Sequence, residues 1–242
     1  MRRTLAIVCF AFILFKCSKK EMPIPPVVTP PPPVVVPPVV TTPAKRYLAL
    51  GDSYTIGQSV PETDRFPVQT KKWLVDSNIT MMAPEIIAVT GWTTTSLQNA
   101  IASQNPQGPY DLVSLLIGVN DQYQMHDTTG YRSRFLQLLN TSILLAGNRN
   151  DHVFVLSIPD YSVTPFAQFS DTASIRRQID QFNAINKQVT AQRYCNYLDI
   201  TPSTREAKND PSLLAGDGLH PSGKEYKKWA ERLGPMMKVV LQ

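Results

Sequence analysis

The chain has 242 residues, 43% of them hydrophobic, a length and composition that suit one globular domain with an additional segment. Its formal net charge of +5 is concentrated near the start: five of the 24 Lys and Arg residues, and one of the 19 Asp and Glu residues, precede Lys45. The remaining chain carries a net charge of +1, which excludes the basic surface expected of a nucleic-acid-binding protein.

The first residues, 1–16, form a predicted signal peptide. Arg2 and Arg3 precede an apolar run over residues 5–15. This run is too short to cross a bilayer, which takes about 20 residues, but it has the length of the apolar region of an export signal.

Cys17 follows this segment directly and is a candidate lipidation site. The arrangement resembles the signal of bacterial lipoproteins, in which such a cysteine becomes the lipidated first residue of the mature chain. Lys16 departs from the pattern, because a small residue is usual at that position. We therefore expect an exported lipoprotein of the bacterial cell envelope, held at the membrane through Cys17, and an ordinary cleaved export signal is the alternative.

Residues 17–44 form a predicted linker. Between Met22 and Ala44 the sequence is almost entirely Pro, Val and Thr. Proline lacks a backbone N–H and favours the extended polyproline II conformation, so neither a helix nor a central strand is expected here. At about 3.1 Å per residue, such a linker would hold a domain on the order of 65 Å from a membrane.

Residues 45–242 form the predicted domain, in which strand-like apolar runs alternate with amphipathic segments. The predicted strands are Tyr47–Leu50, Glu85–Val89, Leu112–Ile117, Val153–Ile158 and Tyr197–Ile200. The predicted helices are Pro67–Asp76, Thr95–Ser103, Tyr131–Leu145, Ser174–Gln192 and Ser222–Val239, the last with Ser222 as its N-cap. This alternation predicts an α/β fold with a parallel sheet and helices on both faces, in which chemistry gathers at the carboxyl ends of the strands.

Gly51-Asp52-Ser53 directly follows the first predicted strand. Gly51 allows the backbone a sharp turn, so the Ser53 hydroxyl is expected to project into a cleft. Serine is a weak nucleophile until a base takes its proton. Taken alone, the motif therefore also suits a serine that only caps a helix or a turn.

Asp217-Gly218-Leu219-His220-Pro221 precedes the last predicted helix and supplies a candidate base. Histidine is the usual base for a serine nucleophile. Of the three histidines in the chain, only His220 follows a carboxylate, Asp217, at a spacing that reaches its ring within one turn of chain. Such a carboxylate orients the imidazole and fixes its tautomer. The three histidines are dispersed with no pair at helical spacing, so neither a metal nor another cofactor is expected.

Two further residues follow predicted strands and would stabilise negative charge on a carbonyl oxygen. Asn120, in Gly118-Val119-Asn120-Asp121 just beyond the third strand, offers a side-chain NH2. Gly91, just beyond the second strand, offers a backbone N–H. With the N–H of Ser53, they form a candidate oxyanion hole.

Together these residues resemble the SGNH, or GDSL, hydrolase superfamily of GDSL-like lipases and acylhydrolases. The residues that give SGNH its letters correspond to Ser53, Gly91, Asn120 and His220, with Asp217 as the acid of the triad. Tyr54 replaces the leucine of GDSL, and the resemblance runs from Lys45 to Gln242. It implies a three-layer α/β/α sandwich of the flavodoxin-like type around a five-stranded parallel sheet, and metal-free ester hydrolysis through an acyl-enzyme.

The intervals between the motifs are short, which predicts an open cleft without a cap domain. Four aromatic residues beside the motifs or strand ends are candidates for lining it: Tyr54, Trp92, Tyr123 and Phe166. We expect a monomeric serine esterase that removes acetyl or similar short acyl groups from a carbohydrate. The alternatives are a lysophospholipase or other lipid acylhydrolase, and a catalytically inactive module that binds a glycan or a lipid.

Overall fold

The computed structural model describes residues 43–242, whose centre is a five-stranded parallel sheet. The predicted signal peptide, Cys17 and residues 17–42 of the predicted linker lie outside the described residues. The strands are β1 Tyr47–Gly51, β2 Glu85–Ala88, β3 Leu112–Leu116, β4 Val153–Leu156 and β5 Asn196–Leu198, in the order β2-β1-β3-β4-β5. Every residue of β1, β3 and β4 is buried, as expected for parallel strands covered on both faces.

Helices cover both faces of this sheet. Within the described part of the chain they are α1 Ser53–Ile56, α2 Phe66–Asp76, α3 Thr94–Gln104, α4 Val119–Met125, α5 Tyr131–Leu145, α6 Thr172–Gln192, α7 Thr201–Arg205 and α8 Gly223–Leu241. The pair α2 and α8 packs together, and α5 packs between α3 and α6. Parallel crossovers are right-handed, and the chain reverses its direction across the sheet after β2. The helix pair α2 and α8 therefore lies on one face of the sheet, and α3, α5 and α6 lie on the other. The predicted three-layer α/β/α sandwich is confirmed.

The predicted long helices and all five strands are present, with ends that differ from the predicted ones by at most two residues. Ser222 caps α8 as predicted, because its side chain accepts a hydrogen bond from the N–H of Glu225. The short helices α1, α4 and α7 have only four to seven residues, too few turns to produce a helical periodicity in the sequence. None of the helices between residues 43 and 242 is long and apolar enough to cross a membrane.

The register of the sheet brings the carboxyl ends of three strands to one level. Gly51, the last residue of β1, pairs with Ala88 at the end of β2 and with Leu116 at the end of β3. The chain leaves β1 towards β2 and then returns past β1 to form β3. This reversal of strand order is where parallel sheets open a crevice for ligands, so the residues after β1, β2 and β3 share one crevice.

Candidate active site

Ser53 begins α1, two residues beyond the end of β1, and is buried with 4% of its surface exposed. A side chain at Gly51 would collide with the Thr55 side chain and with the carbonyl oxygen of Leu116, so only glycine fits at this turn. Asp52 caps α1 by accepting a hydrogen bond from the N–H of Tyr54 at 3.0 Å. The serine is therefore held by the sheet on one side and by a capped helical turn on the other.

Asp52 is a buried carboxyl group directly beside the nucleophile candidate. Its Oδ1 receives the Tyr54 N–H, while its Oδ2 has no hydrogen-bond partner among the described residues. Burial raises the pKa of Asp52 to about 8, and the nearby charge of Asp121 adds to the rise. Burial thus favours the protonated form of Asp52, whose Oδ1 still accepts the Tyr54 N–H that caps α1.

His220 lies in a tight loop between β5 and α8. The N–H of Ala215 donates to the His220 carbonyl at 2.8 Å, and the N–H of Gly218 donates to the Ala215 carbonyl at 3.1 Å. Gly218 takes a left-handed backbone conformation with φ of 66°, which glycine adopts without strain. The imidazole is buried, with 6% of the residue exposed, and its ring packs 5.0 Å from that of Tyr54.

Asp217 receives four hydrogen bonds and orients this imidazole. Its Oδ1 accepts the backbone N–H groups of Leu219 at 3.0 Å and His220 at 2.9 Å. Its Oδ2 lies 2.7 Å from His220 Nδ1 and accepts the Ser59 hydroxyl at 2.7 Å. Burial acts to raise the pKa of Asp217, but the hydrogen bonds from Ser59, His220 and Leu219 outweigh it and hold the pKa well below its usual range. The ionised carboxylate fixes the proton on Nδ1, which leaves Nε2 as the acceptor.

Asn120 lies in the first turn of α4, four residues beyond the end of β3. Its Nδ2 donates to the carbonyl oxygen of Trp92 at 3.1 Å, and this contact sets the orientation of the side-chain amide. The second hydrogen of the NH2 group remains for a substrate oxygen. Gly118 makes the turn into α4 with φ of 128°, and the Tyr131 hydroxyl occupies the space that a side chain at Gly118 would need.

Gly91 lies three residues beyond the end of β2 and has φ of 83°. Its carbonyl accepts a hydrogen bond from the Gln124 side chain at 3.2 Å, which holds the turn against α4. Its own N–H is not engaged with another backbone carbonyl between residues 43 and 242. This N–H is therefore available to a ligand in the crevice.

One cavity of about 120 Å³ brings these groups together: it is lined by Ser53, Gly91, Asn120 and His220, and also by Tyr54, Thr90, Val119, Tyr123, Tyr161, Phe166 and Leu219. Asp217 lies behind His220, on the side of the ring away from the cavity. A larger hollow of about 600 Å³ between residues 162–176 and 207–214 contains none of the predicted catalytic residues. The catalytic groups predicted from the sequence thus meet in the smaller cavity.

The structure separates Trp92 from the other three aromatic residues predicted to line the cleft. Tyr54, Tyr123 and Phe166 line the cavity, but Trp92 does not. Its half-buried side chain packs against the hydrophobic core. Only the backbone carbonyl of Trp92 takes part, as the acceptor for Asn120.

An aromatic wall, formed by Tyr123, Tyr161 and Phe166, closes one side of the cavity. The three rings lie with their centroids 6.1 to 6.2 Å apart. Tyr161 is buried, whereas Tyr123 and Phe166 are about half exposed, at 48% and 50%. Tyr161 was not among the residues predicted from the sequence, although its place five residues after β4 is a signal of the same kind as those of Ser53 and Asn120.

Asp160 anchors the segment that carries Tyr161 and Phe166. Its buried carboxylate accepts the N–H of Ser162 at 2.9 Å and the guanidinium of Arg205 at 2.7 Å. Burial acts to raise the pKa of Asp160, but these hydrogen bonds outweigh it and lower the pKa. The aromatic wall is thus fixed to α7 through Arg205.

Comparisons with known proteins agree with this geometry. The sequence pattern of the GDSL-like lipase/acylhydrolase family matches residues 49–228, which include Ser53, Gly91, Asn120, Asp217 and His220. A search of curated protein sequences finds no match.

Several solved structures share the fold. A lipolytic protein of the G-D-S-L family from Veillonella parvula has a TM-score of 0.60 at 18% identity, over 78% of this chain and 96% of its own. The esterase EstA from Pseudoalteromonas sp. has a TM-score of 0.62 at 13% identity, over 81% and 98%. The acetylxylan esterase Axe2 from Geobacillus stearothermophilus has a TM-score of 0.58 at 18% identity, over 80% and 94%.

Proposed function

The chain belongs to the GDSL-like lipase/acylhydrolase family, and from this premise we propose that it hydrolyses carboxylic esters through an acyl-enzyme on Ser53. The observation that carries the proposal is the single cavity lined by Ser53, His220, Asn120 and Gly91, with Asp217 bonded to the far side of the imidazole. A domain that only bound its ligand would need neither a base nor a carboxylate to orient that base.

In the proposed mechanism, the Ser53 oxygen attacks the ester carbonyl carbon while His220 Nε2 takes the serine proton. The Asn120 NH2 and the N–H groups of Ser53 and Gly91 stabilise the negative carbonyl oxygen. When the tetrahedral intermediate collapses, the ester C–O bond breaks and the alcohol leaves with the proton from His220. Water then attacks the carbonyl of the acyl-enzyme in the same way, with His220 as the base, which releases the acid and regenerates Ser53.

For the substrate, we propose a short acyl group, such as acetyl, on a carbohydrate. A cavity of about 120 Å³ is small beside the roughly 300–1,000 Å³ of sites that enclose larger ligands, so a long acyl chain has little room. The half-exposed rings of Tyr123 and Phe166 offer flat apolar faces at the cavity for a sugar ring. An acetylxylan esterase shares this fold, so the fold accommodates enzymes of that kind.

A lipid ester is the second candidate. Phe166 is half exposed and Phe169, three residues further, is 94% exposed, so apolar surface lies beside the cavity. A lysophospholipid would place its acyl chain along this surface. The same family membership covers lipases and acylhydrolases.

Turnover of matched substrates tests both candidates. We expect wild-type protein to hydrolyse p-nitrophenyl acetate and acetylated xylo-oligosaccharides, with rates that fall steeply as the acyl chain lengthens, and Ser53→Ala to abolish both activities. Faster release of fatty acid from lysophosphatidylcholine than of acetate from the oligosaccharides would favour the lipid candidate. Wild-type protein that hydrolyses no ester and does not react with a fluorophosphonate at Ser53 would show an inactive binding module instead.

We further propose that the domain works in the bacterial cell envelope, tethered through a lipid on Cys17. The support is the sequence alone: an apolar run after two arginines, a cysteine directly behind it and a proline-rich segment beyond. The mass of the intact protein extracted from membranes tests this. Acyl chains on Cys17 are expected, and a mature chain that begins elsewhere without them would contradict the proposal.

A further inference from the structure

We propose that Ser59 is a positioning residue of the catalytic triad, whose hydroxyl holds the Asp217 carboxylate in the plane that His220 requires. This inference rests on the proposed function, because it assigns a role within the same site. Ser59 lies 158 positions before Asp217 and does not line the cavity. It would act through Asp217 and His220 without touching the substrate.

The hydrogen bond between Ser59 and Asp217 is short and holds the carboxylate oxygen that faces His220. The Ser59 hydroxyl donates to Oδ2 at 2.7 Å, the same oxygen that lies 2.7 Å from His220 Nδ1. The other oxygen is held by the N–H groups of Leu219 and His220. Without the Ser59 hydroxyl, Oδ1 keeps its two backbone N–H donors, but Oδ2 is held by the imidazole alone. The carboxylate can then rotate more freely about the Cβ–Cγ bond of Asp217.

The backbone of Ser59 takes a conformation that serine adopts only at a cost. Its φ is 65°, in the left-handed region that favours glycine. A glycine here would adopt the same backbone without strain, so what serine adds at this position is its side chain. Within residues 43–242, that side chain makes one hydrogen bond, to Asp217.

Ser59 is also tied closely to the nucleophile. The N–H of Gln58 donates to the Ser53 carbonyl at 3.0 Å, and the N–H of Val60 donates to the Gly57 carbonyl at 3.3 Å. These bonds close the chain just after α1, so Ser53 and Ser59 belong to one short folded segment. The Ser59 to Asp217 bond joins this segment to the loop of His220, which sets the position of the base relative to the serine.

Two substitutions separate the hydroxyl from the backbone. Ser59→Gly removes the hydroxyl and relieves the backbone strain, whereas Ser59→Thr keeps a hydroxyl and adds strain, because a β-branched residue is unfavourable at positive φ. Thr63→Ala is a matched control, since the exposed Thr63 hydroxyl also donates to a neighbouring carboxylate, that of Asp64, but lies away from the cavity.

If Ser59 positions the triad, Ser59→Gly in the full-length chain lowers kcat about tenfold on p-nitrophenyl acetate with KM unchanged and unfolding temperature unchanged or raised. Ser59→Thr keeps kcat within about threefold of wild type despite a lower unfolding temperature. Thr63→Ala matches wild type. The opposite pattern, with full activity in Ser59→Gly and loss in Ser59→Thr, would overturn the proposal and assign Ser59 a backbone role.

A spectroscopic readout keeps this test separate from the proposed function. The proton on His220 Nδ1, hydrogen-bonded to Asp217 at 2.7 Å, gives a low-field proton NMR signal that does not depend on turnover. Ser59→Gly is expected to shift or broaden this signal and Thr63→Ala to leave it unchanged. Should the wild type hydrolyse no ester, the proposed function fails, and an NMR signal identical in wild type and Ser59→Gly would separately refute the role of Ser59.

Discussion

The two sides of the active site are held in different ways. On one side, Ser53, Gly91 and Asn120 each follow a strand of the sheet by two to four residues, and the register of β1, β2 and β3 sets their spacing. On the other side, Asp217 and His220 belong to a loop outside the sheet, held by hydrogen bonds within the loop, from the Ser59 hydroxyl and from the backbone N–H of Phe166. The difference teaches that the predicted acid and base are positioned by individual hydrogen bonds, whereas the predicted oxyanion donors are positioned first by the register of the sheet.

Asp217→Asn gives the largest expected effect and tests the loop side. The Asn oxygen would have to accept the two backbone N–H groups, so its NH2 would face His220 Nδ1 and favour the tautomer with the proton on Nε2. That tautomer cannot accept the serine proton, and we expect kcat for p-nitrophenyl acetate to fall about 10³- to 10⁴-fold.

The control for this prediction is Asp210→Asn. Asp210 also accepts a backbone N–H in the same part of the chain, that of Ser212, but it lies on the surface and bonds Lys224 instead of a histidine. It should keep wild-type kcat. A comparable loss of kcat in both variants would mean that the loop has unfolded. The loss in Asp217→Asn would then not be due to the tautomer of His220.

Asn120→Ala tests the sheet side and should have the second-largest effect. Loss of one oxyanion donor typically lowers kcat about 10²- to 10³-fold. Because the sheet holds Ser53 and Gly91 independently, we expect KM and the unfolding temperature to change little. Asn120→Asp, which has the same shape but no N–H, should lose at least as much activity. A larger fall in kcat for Asn120→Ala than for Asp217→Asn would contradict the expected order of the two sides.

Asp52→Asn should have the smallest effect, on stability and not on the chemistry. The pKa of Asp52 is raised to about 8 in the folded protein from 3.8, so between these values the folded state binds a proton that the unfolded state does not. Stability contributed by this group therefore falls as the pH rises from about 4 to 8. An asparagine keeps the oxygen that caps α1 and removes this dependence.

The measurement is the unfolding temperature between pH 6 and 9. The wild type is expected to lose a few °C more than Asp52→Asn over this range. Asp171→Asn is the matched control, because Asp171 caps α6 in the same way through Ser174 but is exposed. If the unfolding temperatures of wild type and Asp52→Asn fall in parallel as the pH rises, Asp52 does not hold a proton in the folded state and the prediction is wrong.

The sequence predicted the sheet and the main site motifs because both leave local signals. Apolar runs marked the five strands, and Ser53 and Asn120 follow two of them directly. The spacing of Asp217 and His220 predicted their hydrogen bond, which forms at 2.7 Å. The assignment of catalytic roles to these residues remains a prediction until the variants are measured.

Other features depend on contacts between distant parts of the chain and left no such signal. The Ser59 hydroxyl meets Asp217 only after β1 and the final loop are placed side by side. Trp92 is next to Gly91 in sequence, yet its side chain packs against the core while Gly91 lines the cavity. Adjacency to a motif therefore predicts the position of a backbone better than the direction of a side chain.

The attachment of the aromatic wall has a consequence for the loop of His220. The segment bearing Tyr161 and Phe166 is held by hydrogen bonds from Ser162 and Arg205 to Asp160, and neither Asp160 nor Arg205 lines the cavity. The same segment also contacts the loop of His220, because the backbone N–H of Phe166 donates to the Gly218 carbonyl at 3.3 Å. A change in residues 164–170 that alters the proposed substrate preference is therefore expected to act on the predicted base as well.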